Sequence, residues 1–416
     1  MGQRGGQGHR GHEESYSAAT HVSVDIKKVL RSQGGGGSSE LPLQSYESLT
    51  SGLILDSIGS FMPTYEFSPH RRDILKGLAA FGAGALLAQS PAPAARVVDC
   101  HHHFVSPAFL KALTAKEGHK VEGFTNFFPL GLWKNYSPAK DIEGMDRDGV
   151  ATSLISCTAP GVWFGDPDEA RGLARELNEY GAKMASDYKG RFGLLAVLPI
   201  PRVDESLKEI EYAFDTLKAD GVGILTSYGN HWLGDPMFQP IFDELNRRKA
   251  VVYTHPIDAP CCQDLMPGVN PTTLEYFADT ARAILSLLVT NAATRYGDIR
   301  FIFSHAGGSF PSLIDRIGVG NPDNIAANLR GPAEPNSRLF HLRRFYYDTA
   351  QSTNTIQLQA LKTIAGVSQI VFGTDYPFGA TAAKQVQGLG DCGFSPEELH
   401  GIQIGNAQRL FPKYKE

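Results

Sequence analysis

The stretch Arg96-Val97-Val98-Asp99-Cys100-His101-His102-His103 opens on apolar, β-branched residues and closes on three consecutive histidines. A short apolar run of this kind reads as a buried strand. Side chains alternate faces along a strand, so His101 and His103 are expected to point the same way, with Asp99 below them. Two imidazoles so placed can grip one metal ion. By the same alternation His102 and Cys100 are expected to turn toward surrounding helices and serve as packing.

Seven further runs of similar character follow, at residues 152–157, 193–200, 221–227, 250–255, 299–305, 345–349 and 369–374. Several are near-continuously apolar, as parallel strands covered on both faces should be. Between them lie segments with helical spacing and an acidic or proline start, among them residues 168–187, 204–219 and 236–247. Eight such units predict an α/β fold, a single (β/α)8 TIM-like barrel with its active site at the C-terminal strand ends. An open doubly wound sheet is the alternative, but no run is followed by a GxGxxG turn. There is no internal repeat and no second domain.

The remaining candidates fall at those strand ends. His255 closes the fifth run in Val252-Tyr253-Thr254-His255, His305 closes the sixth in Phe303-Ser304-His305, and Asp375 ends the eighth in Phe372-Gly373-Thr374-Asp375. One buried histidine is ordinarily a hydrogen-bonded core residue; a whole set at strand termini points instead to a site. Three imidazoles and a carboxylate form a mixed nitrogen and oxygen donor set suited to zinc, with manganese or iron as alternatives. The run at 221–227 contains no lysine, so a carbamylated lysine bridging two metals is excluded there and a single divalent metal is expected.

Composition sets the wider bounds. Of 416 residues, 42% are hydrophobic and 20% charged, which supplies a large core and excludes disorder, collagen and coiled coil for most of the chain. A net charge of −5 gives no basic excess for phosphate contacts, so no nucleic-acid partner is expected. Five cysteines are too few for a disulfide scaffold. Residues 1–61 are rich in Gly, Ser, Gln and His and read as a disordered extension, with Met62 as an alternative start. Residues 62–94 carry Arg71-Arg72, an apolar run over 77–88 and the exit Ala92-Pro93-Ala94, the layout of a twin-arginine export signal. The expected compartment is therefore periplasmic or exported, with the cytoplasm as alternative. The apolar run is too short for a stable membrane anchor. Residues 95–416 are then one barrel. Cys261 and Cys262, adjacent in the loop after His255, are expected as unlinked thiols, a strained vicinal disulfide being the alternative in an oxidising compartment.

The motif set Asp-x-His-x-His on the first strand, a histidine on the fifth, His-x-Gly-Gly on the sixth and Gly-Thr-Asp-x-Pro on the eighth resembles the amidohydrolase superfamily of metal-dependent hydrolases. More narrowly it resembles the decarboxylase branch, with aminocarboxymuconate-semialdehyde, γ-resorcylate and 6-methylsalicylate decarboxylases. The resemblance spans residues 96–415, and the segment from Gly223 to Pro236 looks most like the 6-methylsalicylate enzymes. It implies that His101, His103, His255 and Asp375 bind the metal, with His305 as unligated acid/base. It further implies a substrate-binding arginine, matched by Arg316, contributed across the interface of a homodimer or higher homo-oligomer. Keeping histidine first in the pair resembles the zinc-using members more than the manganese-using ones.

The implied activity is nonoxidative decarboxylation of a small aromatic carboxylate, with release of carbon dioxide. Either Asp375 or His305 is the acid that protonates the ring carbon. Trp133, Phe104, Trp163 and Phe378 are candidate walls for an aromatic ring. Two other readings remain open: hydrolysis of a lactone or amide at the same metal set, and a metal-binding protein without turnover.

Overall fold

The computed structural model describes residues 96–119, 129–263 and 265–415. The extension expected over residues 1–61 and the export signal expected over 62–94 lie outside the described residues.

Eight parallel strands form one sheet: β1 (Val97–His103), β2 (Val150–Ser156), β3 (Phe192–Val197), β4 (Gly221–Leu225), β7 (Val251–His255), β8 (Arg300–Phe303), β9 (Tyr346–Asp348) and β10 (Ile370–Val371), in that spatial order. A small antiparallel hairpin, β5 (Ser227–Tyr228) with β6 (His231–Trp232), is inserted after β4. The sheet closes on itself. Cys100 N donates to Phe372 O at 2.9 Å, Asp375 N to His101 O at 2.8 Å and His103 N to Tyr376 O at 3.0 Å, so β1 is stitched to the segment leaving β10. All eight runs expected as strands are strands, with ends shifted by a few residues.

The helices begin where capping chemistry allows. In α1 (Pro107–Lys116), α2 (Pro138–Asp148) and α3 (Pro167–Asp187), the side chains of Ser106, Ser137 and Asp166 accept a backbone N–H, and proline follows at the first helical position. Asn270 and Pro271 repeat the device at α4 (Pro271–Val289). Proline there loses no intrahelical bond, and its fixed φ suits the first turn. Among the described residues no helix is long and apolar enough to cross a membrane.

Strand alternation divides the apolar side chains into two clusters. Val98, Leu154, Leu195, Val251, Tyr253, Ile302 and Val371 point into the barrel, where Ala407, Leu410 and Phe411 of the C-terminal segment join them as a plug. Their strand neighbours, such as Val97, Leu194, Ala196 and Val252, point outward against the helices. The interior is thus a packed floor, and the site above it rests on solid material.

The β1–β2 register shifts twice, once beside Val97 and Val98 with the extra residue on β2, and once within β1. Asp99 pairs with Ser153 and His102 with Ile155, so three steps along β1 match two along β2. One extra residue flips the phase, as a bulge does. Cys100 consequently faces the interior cluster, against the expectation that it would face the helices. Asp99 turns outward and hydrogen-bonds His102, against the expectation that it would lie beneath His101 and His103. The bulge is what lets Val98 and Cys100 fill the floor while His101 and His103 still reach the mouth.

Candidate metal centre and active site

His101, His103, His255 and Asp375 each bring one ligand-type atom to a common point, all within 4.8 Å of one another. His101 Nε2 and His103 Nε2 are 3.1 Å apart, and each lies 3.1 Å from Asp375 Oδ1. The His255 ring stands edge-on to both, with centroids 5.3 and 4.7 Å away.

The outer ring nitrogens explain the orientation. His101 Nδ1 donates to Asp348 Oδ2 at 2.9 Å, His103 Nδ1 to Ser156 O at 3.3 Å and His255 Nδ1 to Pro256 O at 2.8 Å. Asp348 and Pro256 O take an N–H and nothing else, so the inner Nε2 of neutral His101 and His255 carries a lone pair. His103 Nδ1 also meets the Ser156 hydroxyl at 3.2 Å, and its Nε2 carries a lone pair when its hydrogen sits on Ser156 O. Three lone pairs and a carboxylate oxygen converging in a buried site fit a divalent cation, and outer partners of this kind fix tautomer and aim.

Electrostatics agree with that fit. Burial, then the neighbouring imidazoles, hold His255 well below the usual histidine range. Burial likewise takes His103 down to about 4. Burial opposes a proton on His101 as well, but Asp348 and Asp375 outweigh it and lift its pKa to about 10. Asp375, although buried, is held well below the usual carboxylate range by His101 and its other histidine neighbours.

His305 and Asp375 both sit at positive φ, 54° and 61°, with Ala306 at 54° between strand and loop. Non-glycine residues there cost about 1–3 kcal/mol each and persist only when their surroundings hold them. His305 is held at three atoms: N donates to Asp348 Oδ1 at 2.9 Å, Nδ1 to Ala350 O at 2.9 Å, and O accepts from Gln357 Nε2 at 3.0 Å. Asp348 therefore grips His101 with one oxygen and the His305 backbone with the other. The sequence reading missed it, although a carboxylate closing the apolar run Tyr346-Tyr347-Asp348 was the available signal. Gln351, whose amide donates to Asp375 Oδ2, was missed too; it lies in a loop with no periodic pattern to mark it.

Above the cluster opens a cavity of about 350 Å³ whose lining includes His255, His305 and Asp375, with Tyr276, Phe277 and Phe378 among its aromatic walls. Phe378 is thus where a ring-contacting residue was expected. Trp133 is not: it is buried behind Phe378, ring centroids 5.7 Å apart. Phe104 packs parallel to Tyr180, and Trp163 is half-buried outside the lining. Arg316 is exposed and does not line the cavity within this chain. Among the described lining residues there is no lysine or arginine.

His102 behaves as packing with charge. It lies between Asp99 and Asp141, 3.0 Å from each, and stacks on Tyr376 at 4.4 Å.

A model of the amidohydrolase family matches residues 98–413, and the chain belongs to that family. It falls within the decarboxylase branch. Over 333 residues it is 34% identical to 6-methylsalicylic acid decarboxylase of Penicillium expansum, covering 76% of this chain and 97% of that relative. It is 32% identical over 339 residues to decarboxylase macB of Penicillium terrestre, covering 76% and 95%. Among solved structures, the dihydroxybenzoic acid decarboxylase of Polaromonas sp. JS666, with bound manganese and the inhibitor 2-nitroresorcinol, has the same fold. Its TM-score is 0.64 at 21% identity, covering 77% of this chain and 98% of that one.

The His102 environment generates a pH prediction. Burial opposes the imidazolium, but Asp141 and Asp99 raise its pKa from 6.5 to about 10. The folded value lies above the unfolded one, so the stabilisation is complete below about pH 6.5 and is lost as pH rises through about 10. The melting-temperature deficit of His102→Gln against wild type should be largest at about pH 6 and shrink toward about pH 10. A deficit constant across that window removes the ion-pair account.

Proposed function

We propose that this protein is a metal-dependent, nonoxidative decarboxylase of a small hydroxybenzoate-type acid, 6-methylsalicylate being the first candidate. The observation that carries the reading is the convergence of three inward lone pairs and the Asp375 carboxylate at the base of an aromatic-walled cavity. His101, His103, His255 and Asp375 are assigned as the holders of one divalent metal. Zinc is favoured by the three-imidazole set, with manganese as the second choice. When bound, the metal supplies fixed positive charge that orients an anionic substrate through its carboxylate and ortho oxygen.

The chain's own groups account for the rest. A ring of hydroxybenzoate size fits the cavity, with Phe378 and Phe277 as apolar faces that exclude water. Decarboxylation requires a proton on the ring carbon bearing the carboxylate, after which the C–C bond breaks and its electron pair restores the aromatic ring. Two groups are positioned to supply that proton. The His305 Nδ1 hydrogen is engaged by Ala350 O, so Nε2 is the nitrogen free to exchange a proton with the cavity; it donates only from the imidazolium, which burial disfavours. Asp375 is the other, its second oxygen steadied by Gln351. His305→Asn is expected to lower kcat about 100-fold or more with metal content retained.

The functional test is direct. Purified protein should contain about one zinc per chain and release carbon dioxide from 6-methylsalicylate or γ-resorcylate; turnover of lactones alone, with no aromatic acid consumed, sinks the decarboxylase reading.

Asp348 offers a test of the metal assignment that needs no turnover. In Asp348→Asn the side-chain carbonyl can keep the His305 and Ala350 N–H bonds, but its NH₂ faces His101 Nδ1. That forces the ring hydrogen onto Nε2, the wrong nitrogen for a ligand. Metal affinity should fall roughly 10- to 100-fold in a chelator competition, with the fold intact; unchanged affinity contradicts the assigned ligand set.

Among the described lining residues there is no lysine or arginine to join the metal in holding the substrate carboxylate. We assign that role to Arg316 of a second copy, a bidentate donor suited to a carboxylate. Arg316→Ala should raise KM with little change in the dimer population on sizing chromatography. An unchanged KM removes the assignment.

A further inference from the structure

The loop leaving His255 carries two adjacent cysteines that the proposed reaction does not use. Pro260–Cys262 form a single 3₁₀ turn, fastened by Cys262 N to Ala259 O at 2.8 Å and by Gln263 Nε2 to Asp258 O at 3.1 Å. The turn presses the two thiols together, with Cys261 Sγ and Cys262 Sγ 2.6 Å apart. Cys261 is exposed and Cys262 is buried beneath it; the other cysteines, Cys100, Cys157 and Cys392, are buried. Burial pushes the thiols of all three of those up, which makes them inert.

We propose that Cys261 and Cys262 form a redox-modifiable pair at the rim of the active-site cavity, closing to a vicinal disulfide by exchange with a small organic disulfide. The order of events follows from exposure. Cys261 thiolate attacks one sulfur of the external disulfide, forming a mixed disulfide and releasing one thiolate. Cys262 then loses its proton and attacks Cys261 Sγ, forming the intramolecular bond and releasing the second thiolate. Two electrons pass from the pair to the external disulfide, and the two protons leave on the released thiols. The hydrogen bond to Cys261 raises Cys262 to about 11, whereas the nearby Arg282 acts the other way. That hydrogen bond is gone once Cys261 is a mixed disulfide, and Cys262 is then the thiol next to the sulfur to be attacked.

The position gives closure a consequence. Cys262 lines a small cavity together with Leu265, Met266 and Asn270, and Asn270 also lines the catalytic cavity. A ring closed in this loop stiffens residues 256–263, which follow directly on His255.

The test reads mass and amide exchange, so it holds whatever acid the enzyme decarboxylates. Full-length protein is incubated with glutathione disulfide and mapped by peptide mass spectrometry. The expected result is loss of two hydrogens from the peptide holding both cysteines, reversed by a dithiol reductant, with slower amide exchange over residues 256–263. Cys262→Ser should stop at a glutathione adduct on Cys261, and Cys261→Ser should remain unreacted. A stable adduct on the wild-type pair, an unreactive wild-type pair, or closure without any change in exchange overturns the proposal.

Discussion

A neutral imidazole has one lone pair and one N–H, and the site depends on which nitrogen holds which. Wherever an outer nitrogen faces a group that can only accept, the inner nitrogen must be the bare one. Asp348 and Pro256 O each impose this on one ring, while His103 Nδ1 lies between Ser156 O and the Ser156 hydroxyl. Were an amide to stand in place of Asp348, the His101 ring would be free to turn its hydrogen inward and the set would lose its common polarity. The donor cluster is thus specified from outside itself, by one dedicated carboxylate and by strand-end carbonyls that the barrel geometry supplies.

Asp348 joins this constraint to the backbone. A fully buried carboxylate is costly unless several donors satisfy it, and here His101, His305 N and Ala350 N do so. In return it holds His305 in a conformation that the isolated chain disfavours. Orientation of one histidine and backbone strain at another are therefore one feature. The barrel floor below, packed with Tyr253, Ile302 and Val371, keeps these short distances from relaxing.

Much of this was legible in the sequence because it rests on period and position. Eight apolar runs became eight strands, and His101, His103, His255, His305 and Asp375 meet because each ends a strand or follows one. What could not be read depends on pairing. The bulge that turns Asp99 outward and Cys100 inward is a mismatch between two strands, visible only when both are in place. Trp133 and Phe378 were equal candidates as aromatic residues, and only packing puts one in front of the other. Asp348 was legible in principle, since its strand ends as the others do, but an acidic residue without a histidine beside it drew no notice.

The closure of the barrel also imposes an order in time. β1 is completed by backbone bonds from residues 372–376, and the interior beneath it by Ala407, Leu410 and Phe411. Some 270 residues of sequence separate His101 from Asp375, and such distant pairings are slow to form. During synthesis from the N-terminus, the histidine-bearing strand emerges early and stays without its neighbour and its floor until the last tenth of the chain has appeared. The donor set cannot exist in any shorter nascent chain, so metal capture is confined to a protein whose barrel has already shut.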